Sequence, residues 1–329
     1  MRVAPPYVRA AGRFEAQLSV LTGAGNMGNY NMHAVAKVIH GGKAYEVPVL
    51  TGNALKHWHS VYLAEVYQDL GGTQLNEFCK KGVGLRGKNM SGEDASSEAE
   101  AIKDLCNDLH GFLLPDKQIK RDSLVRVSFA VPVLEEKNLE AASKFAVVHN
   151  RVDPFKRTQQ VKSKEEQEGT EMMVFKQEYS SAVYGFAAAM DLGLSGVPLY
   201  QEGESGVDDR ERALRIKSAL VALLRLFNGV GSKQARALPI ARLRELVIAI
   251  SDSPIPNLVH GAYPDYVARS AELLTAYLKA VGKKGVVLCY GVDCPQSNNV
   301  LECKKADTLD DLFQEALRRA LPGGQPARR

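Results

Sequence analysis

The chain has no run of about 18 uncharged apolar residues, which excludes a membrane-spanning helix, and Met1–Arg13 lacks the apolar stretch of a secretion signal. A cytoplasmic protein is expected. Cysteine is scarce: Cys79, Cys106, Cys289, Cys294 and Cys303 are odd in number and irregular in spacing. They give neither a disulfide framework nor the paired C-x-x-C of a structural zinc site, and read as reduced thiols. The patterns G-x-S-x-G, H-E-x-x-H and the EF-hand loop are missing, and no internal repeat is visible. The histidines are scattered, and Asp108 beside His110, the nearest thing to an acid/base pair, joins i, i+2 neighbours at a helix end, which is weak geometry for proton transfer. The expectation is a protein that is not an enzyme, with no cofactor and no metal. A net charge of +4 over 329 residues is too small to identify a partner.

With 45% hydrophobic residues the chain can bury a sizeable core, as one large or two ordinary domains. Its elements are mixed. Phe14, Ala16, Leu18 and Val20 alternate with polar residues, predicting a strand with one wet face, and Val125–Val133 alternates likewise. The repeated apolar spacing predicts helices over 54–69, 97–109, 208–227, 266–280 and 309–321. Strands are expected at 246–250 and 285–290, and a hairpin around Gly41-Gly42.

Two strand-like runs, Phe145–Val148 and Met172–Phe186, bracket a charged insertion. Lys156–Gly169 holds Lys156, Arg157, Lys162, Lys164, Glu165, Glu166 and Glu168 and no aromatic, so it cannot bury enough apolar surface to offset its ordering entropy. It is a solvated loop or an arm reaching a partner, and composition leaves both open.

Positive charge is concentrated further on. Between Arg210 and Arg244 nine Lys and Arg residues stand against a single acid, Glu211, a field of the kind that neutralises phosphates. Within it the glycine loop Asn228–Arg236 carries Lys233 and Arg236, and lacks the P-loop spacing. A second basic, glycine-containing stretch is Lys80–Lys88, an anion contact or a plain loop. Lys56 and His57 fall in the first turn of the 54–69 helix, where free backbone N–H groups favour anions, after Thr51-Gly52-Asn53 as cap chemistry.

Gly23-Ala24-Gly25-Asn26-Met27-Gly28 fits G-x-G-x-x-G, with Glu46 near the place of a ribose-binding acid. The competing function is therefore an NAD-dependent oxidoreductase using Gly23, Gly25 and Gly28 as a dinucleotide-binding turn. Against it, Asn29–His33 is a poor start for the helix such a turn must feed.

Several stretches together carry a resemblance. They are His110-Gly111-Phe112-Leu113, Lys120–Pro132, Val148-His149-Asn150-Arg151, Phe175–Ala182, Gly12-Arg13-Phe14, Pro48–Leu55 and the Asn228–Arg236 loop. In order and spacing the chain resembles the DevR-type CRISPR-associated RAMP superfamily, and within it the backbone subunit of archaeal type I-A Cascade. The resemblance implies an α+β fold with a modified RRM/ferredoxin-like palm, discontinuous over 1–70, 110–150, 176–192 and 208–321. It implies helical fingers at 71–109, a long β-hairpin thumb at 150–175 and a disordered tail at 322–329. It further implies a non-catalytic subunit that oligomerises along CRISPR guide RNA, with target DNA strand met through the guide, and with neighbouring copies and other Cascade subunits as partners. RNA contacts are implied for Asn29, His33, Thr51, Asn53, Lys56, His57, Arg121, His149, Arg151, Lys233 and Arg236. Met172, Met173 or Phe175 would be a wedge between bases. The RNP1 signature of ordinary RNA-recognition domains is absent, and Gly23–His33 lacks the aspartate with which related type III subunits cleave RNA.

Overall fold

The computed structural model describes residues 6–19, 23–27, 30–151, 173–200, 206–228 and 240–321. The elements run β1 (Tyr7–Ser19), β2 (Gly23–Met27), β3 (Tyr30–His33), β4 (Val35–His40), β5 (Lys43–Pro48), α1 (Gly52–Asp69), α2 (Glu77–Lys80), α3 (Glu98–Ala101) and α4 (Leu105–His110). There follow β6 (Phe112–Leu114), β7 (Ile119–Arg121), β8 (Val125–Val127), β9 (Val131–Pro132), α5 (Glu136–Ala141), β10 (Phe145–Arg151) and β11 (Met173–Met190). The chain ends with α6 (Asp209–Asn228), β12 (Ala241–Ser251), α7 (Tyr266–Val281), β13 (Gly285–Tyr290), β14 (Leu301–Ala306) and α8 (Leu309–Ala320).

A central sheet of order β14-β13-β12-β1-β11-β3-β2 organises these elements. Both faces of β12 are apolar, and period-two alternation sends Leu246, Ile248 and Ile250 to one core and Val247 and Ala249 to the other. The first core gathers Phe14, Tyr184 and Phe186 from the sheet, Leu55 and Leu63 from α1, Leu220, Leu223 and Phe227 from α6, and Phe313 from α8. Phe186 and Phe227 stack with ring centroids 3.6 Å apart. Each such side chain contributes about 1.5–3 kcal/mol by leaving water. The second core packs α7, through Leu274 and Leu278, on Val247, Val287 and Cys289.

The wet face expected for the first strand is present at Glu15, whose side chain is 45% exposed, and is covered nearer the start of the strand. Arg9 Nε donates to the Ile255 carbonyl (3.1 Å) and Arg13 Nε to the Gly261 carbonyl (2.9 Å), so both arginines hold the 255–263 segment across β1. That crossing needs glycine: a Cβ on Gly261 would lie 2.1 Å from the Gly12 carbonyl oxygen.

Gly23–Met27 is strand β2, paired antiparallel with β3, and no helix follows it. The dinucleotide-binding turn is thereby corrected, because a Rossmann pyrophosphate rests on the helix N-terminus that such a turn feeds. The Gly41-Gly42 hairpin forms, with both glycines at positive φ. The single strand expected over 125–133 is two short ones, each paired antiparallel to β11. Cys79 and Cys106 are joined as a disulfide, Cα atoms 5.8 Å apart, so these two are not the reduced thiols that spacing suggested. Among the described residues no helix is long and apolar enough to cross a membrane.

Candidate nucleic-acid interface

The outer edge of β11 carries three partners in succession: β10 against 173–179, β9 against 184–185 and β8 against 188–190. Helix α1 begins against the join of β8 and β9, where Leu50 bridges to Ala130 and a Cβ on Gly52 would lie 2.3 Å from the Val127 carbonyl oxygen. Thr51 caps the helix by accepting from the Ala54 N–H (3.3 Å), and Asn53 is exposed beside it. These are the positions at which a helix N-terminus presents unpaired N–H groups to an anion.

The basic segment 80–88 lies alongside this helix. A Cβ on Gly82 would contact Val61, and one on Gly84 would sit 3.9 Å from His57 Nδ1. Arg86 is fixed there by donating to the Cys106 carbonyl (2.8 Å) and the Ser60 hydroxyl (3.1 Å). Burial, aided by the nearby Arg86, lowers the Lys56 pKa, and burial pushes Arg86 down to about 10. Among the described residues no carboxylate lies at ion-pair distance from either, although Asp104 acts on Arg86 from further off, and Lys56 and Arg86 place two cations along the first half of α1. Arg86 was missing from the sequence-derived set. Its signal was membership of the basic glycine segment, whose position beside α1 only the fold supplies. His57 is half-buried, its ring edge-on to Trp58 at 5.8 Å.

The β10–β11 ribbon pairs His149 with Phe175 and Arg151 with Met173. The four expected residues therefore share one parity of the ribbon, as direct cross-strand partners do. Met172 lies outside the described residues, as do Asn29, Lys233 and Arg236, with the glycine loop that carries the last two. β3 joins the ribbon's base, pairing parallel to β11 at Tyr30–Lys176 and Asn31–Gln177.

Two expectations are corrected by burial. Arg121 is interior: its guanidinium donates to Glu98, to both the carbonyl and the carboxylate of Asp108, and to the carbonyls of Leu194 and Val197. With every direction occupied and the side chain 0% exposed, it cannot meet RNA. His33 is buried too, its N–H donating to Glu178 Oε2 (2.8 Å) and its ring to the Ala34 carbonyl (2.9 Å); burial lowers its pKa. Of the nine cations in the basic stretch 210–244, four are paired with acids among the described residues: Arg215 is buried on Asp108 and Glu211, while Arg212, Arg225 and Arg244 pair with Asp209, Glu65 and Glu15.

Nor are Asp108 and His110 an acid/base pair. Asp108 is held by Arg121, Arg215, Ser195 and Gly196, whereas His110 Nε2 meets His59 Nδ1 at 3.1 Å. Cys79, Asp104 and Cys106 form the one cluster of metal-ligand type among the described residues. Their donors are occupied, the sulfurs by each other and the carboxylate by the N–H groups of Asn76 and Asn107 at 2.8 Å.

The family described as the CRISPR-associated negative auto-regulator DevR/Csa2 matches residues 10–271. A Methanocaldococcus jannaschii protein, CRISPR-associated protein Cas7/Cst2/DevR, is 34% identical over 313 residues, covering 90% of this chain and 97% of that one. The CRISPR-associated aCascade subunit Cas7/Csa2 2 of Saccharolobus solfataricus is 29% identical over 278 residues, 78% of this chain and 82% of its own. A solved CRISPR RNA-guided surveillance complex in its pre-nicking state contains a chain that aligns over 96% of this one at 14% identity and a TM-score of 0.49. By the extent of the family match and the identity to the first of these relatives, the chain belongs to the DevR/Csa2 (Cas7) family of CRISPR-associated proteins.

Proposed function

We propose that this Cas7-family protein is a guide-RNA-binding backbone subunit of a type I-A Cascade complex, without a catalytic role. Copies line up along the CRISPR guide, grip its backbone and leave sequence to base pairing with the target strand. Support for a ferredoxin-like palm comes from connectivity. β1, α1, the β8–β10 group, β11, α6 and β12 follow one another as β-α-β-β-α-β, with β12 and β11 flanking β1 and the β8–β10 group outside β11. The 71–109 segment, with α2, α3 and α4, then serves as fingers, and the β10–β11 ribbon as the base of a thumb for Met172, Met173 or Phe175.

The observation that carries the reading is Lys56 on the second turn of α1, with Arg86 close enough to lower its pKa and no carboxylate at ion-pair distance from either among the described residues, following Thr51 and Asn53 and next to His57. It suits a phosphate backbone, and the ribbon lies further along the same edge of β11. The test is RNA affinity of the purified protein as a function of salt. Binding is expected to weaken steeply between about 50 and 500 mM, and Lys56→Ala should flatten the log–log slope by about 0.7 for a single strand, equally for unrelated sequences. Lys233→Ala with Arg236→Ala should act in the same way. RNA binding that ignores salt, or an effect confined to one sequence, would overturn the reading.

A further inference from the structure

The cysteines at the far end of the sheet carry an inference independent of RNA. Cys289 ends the apolar run of β13, Cys303 lies in the parallel neighbour β14 opposite Val287, and Cys294 sits in the loop between them. Cys289 and Cys303 stand on the same face of the two strands but are offset by two residues, and Cys294 reaches into the gap. Its Sγ is 2.6 Å from Cys289 Sγ, within about 0.6 Å of the covalent distance of about 2.05 Å. Cys303, whose backbone is held by Ser297 at the far end of the same loop, is the third thiol of the group.

The loop that presents Cys294 is anchored on both sides. Gly291, at φ +71°, turns it so closely over the sheet that a Cβ there would lie 1.9 Å from the Arg244 carbonyl oxygen. Asp293 is ion-paired to Lys305 (2.7 Å), and the Ser297 hydroxyl both accepts from the Cys303 N–H (2.8 Å) and donates to the Cys303 carbonyl (3.2 Å). Cys294 is thus held between two strand thiols by contacts that do not involve sulfur.

We propose that Cys289 and Cys294 form a second cystine and that Cys303 is its exchange partner. Formation takes two thiols and one small-molecule disulfide. A thiolate of the pair attacks the reagent and releases one small thiol; the other thiolate then attacks the mixed disulfide, releases the second and closes the Cys289–Cys294 bond. The cysteine protons pass to solvent and the reagent is reduced. Attack of the Cys303 thiolate on Cys294 would move the bond to Cys294–Cys303 and free Cys289, so Cys294 is common to both forms. A three-thiolate metal site fits the layout poorly, because two ligand sulfurs on one ion stand further apart than Cys289 and Cys294 do.

The test equilibrates the full-length protein with oxidised and reduced glutathione, unfolds it in excess iodoacetamide without reductant, and locates label and linkage by peptide mass spectrometry. One alkylated cysteine is expected, with a Cys289–Cys294 or Cys294–Cys303 linkage. Cys303→Ser should leave none alkylated, and Cys294→Ser should leave Cys289 and Cys303 both alkylated. Three alkylated cysteines, a Cys289–Cys303 linkage, stable glutathione adducts, or retained zinc that protects all three thiols would each overturn the proposal.

Discussion

Replacing Asp108 by alanine should be the most damaging single change in the chain outside the two cores. Its carboxylate is fully buried and accepts from Arg121 Nη2, Arg215 Nη1 (2.7 Å), the Ser195 hydroxyl (2.9 Å) and the Gly196 N–H. Both arginine side chains are 0% exposed, so removing the acid leaves two guanidinium groups without their shared counter-charge in a region closed to water. Arg121 keeps Glu98 and Arg215 keeps Glu211, which limits the loss. Breaking a buried pair from one side costs about 3–5 kcal/mol. At roughly 2 °C per kcal/mol for a chain of this size, Tm should fall by about 6–10 °C. Arg215→Met alone should cost less, and Asp108→Ala with Arg215→Met less than the sum of the two, since the second change removes the charge that the first stranded. Thermal melting of the four proteins at one pH measures the cycle. An Asp108→Ala protein melting within about 2 °C of the parent, or strictly additive effects, would refute the idea that this carboxylate compensates both arginines.

Acid should unfold the protein early. The His59 ring donates from Nε2 to the Ala219 carbonyl (3.0 Å) and accepts at Nδ1 from His110 Nε2 (3.1 Å); burial holds His59 at about 4 and His110 well below its usual value. The unfolded chain takes up these protons near pH 6.5 and the folded chain does not, so stability is level above that pH and is lost as pH falls towards 4. The loss is about 1.4 kcal/mol per unit for each histidine, and a Tm unchanged between about pH 6.5 and 5 would contradict it. Cys79→Ser opens a loop with a sequence separation of 27 and should lower stability by about 3.5 kcal/mol relative to the parent in non-reducing buffer, read by denaturant titration; an unchanged midpoint would contradict it.

Much of the secondary structure was readable because local signals and tertiary packing agree. Helix α6 departs by one residue at each end from the expected 208–227, since its apolar face repeats regularly from Leu214 to Phe227, and β13 is a short apolar run bounded by glycine at each end. The 125–133 segment misled because its alternation is genuine while its pairing is not continuous. The Ser128 hydroxyl takes the Ala187 N–H (2.8 Å), Phe129 is turned out to solvent, and Ala130 bridges to Leu50 instead. β14 gives little sequence signal because LECKKA is an edge strand with half of its side chains charged.

The site was legible in part. Thr51, Asn53, Lys56 and His57 are adjacent in sequence and stay together on one helix start. Arg121 carried no linear warning of its burial, because its acceptors lie 13, 23, 73 and 76 residues away. Arg86 likewise became part of the site only through the disulfide-bonded segment that folds beside α1.

The length of β11 has a mechanical consequence. Its 18 residues span roughly 60 Å without a break, from the ribbon at Met173 to Met190, which pairs with Val8 of β1. Gly185, where such a strand would bend most easily, is clamped: a Cβ there would lie 2.1 Å from the Ala262 nitrogen. A force on the ribbon therefore meets a beam built into the sheet, not a hinge. It is passed on as torsion shared with β1 and β12, so the angle at which the ribbon leaves the body is dictated by the twist of the sheet.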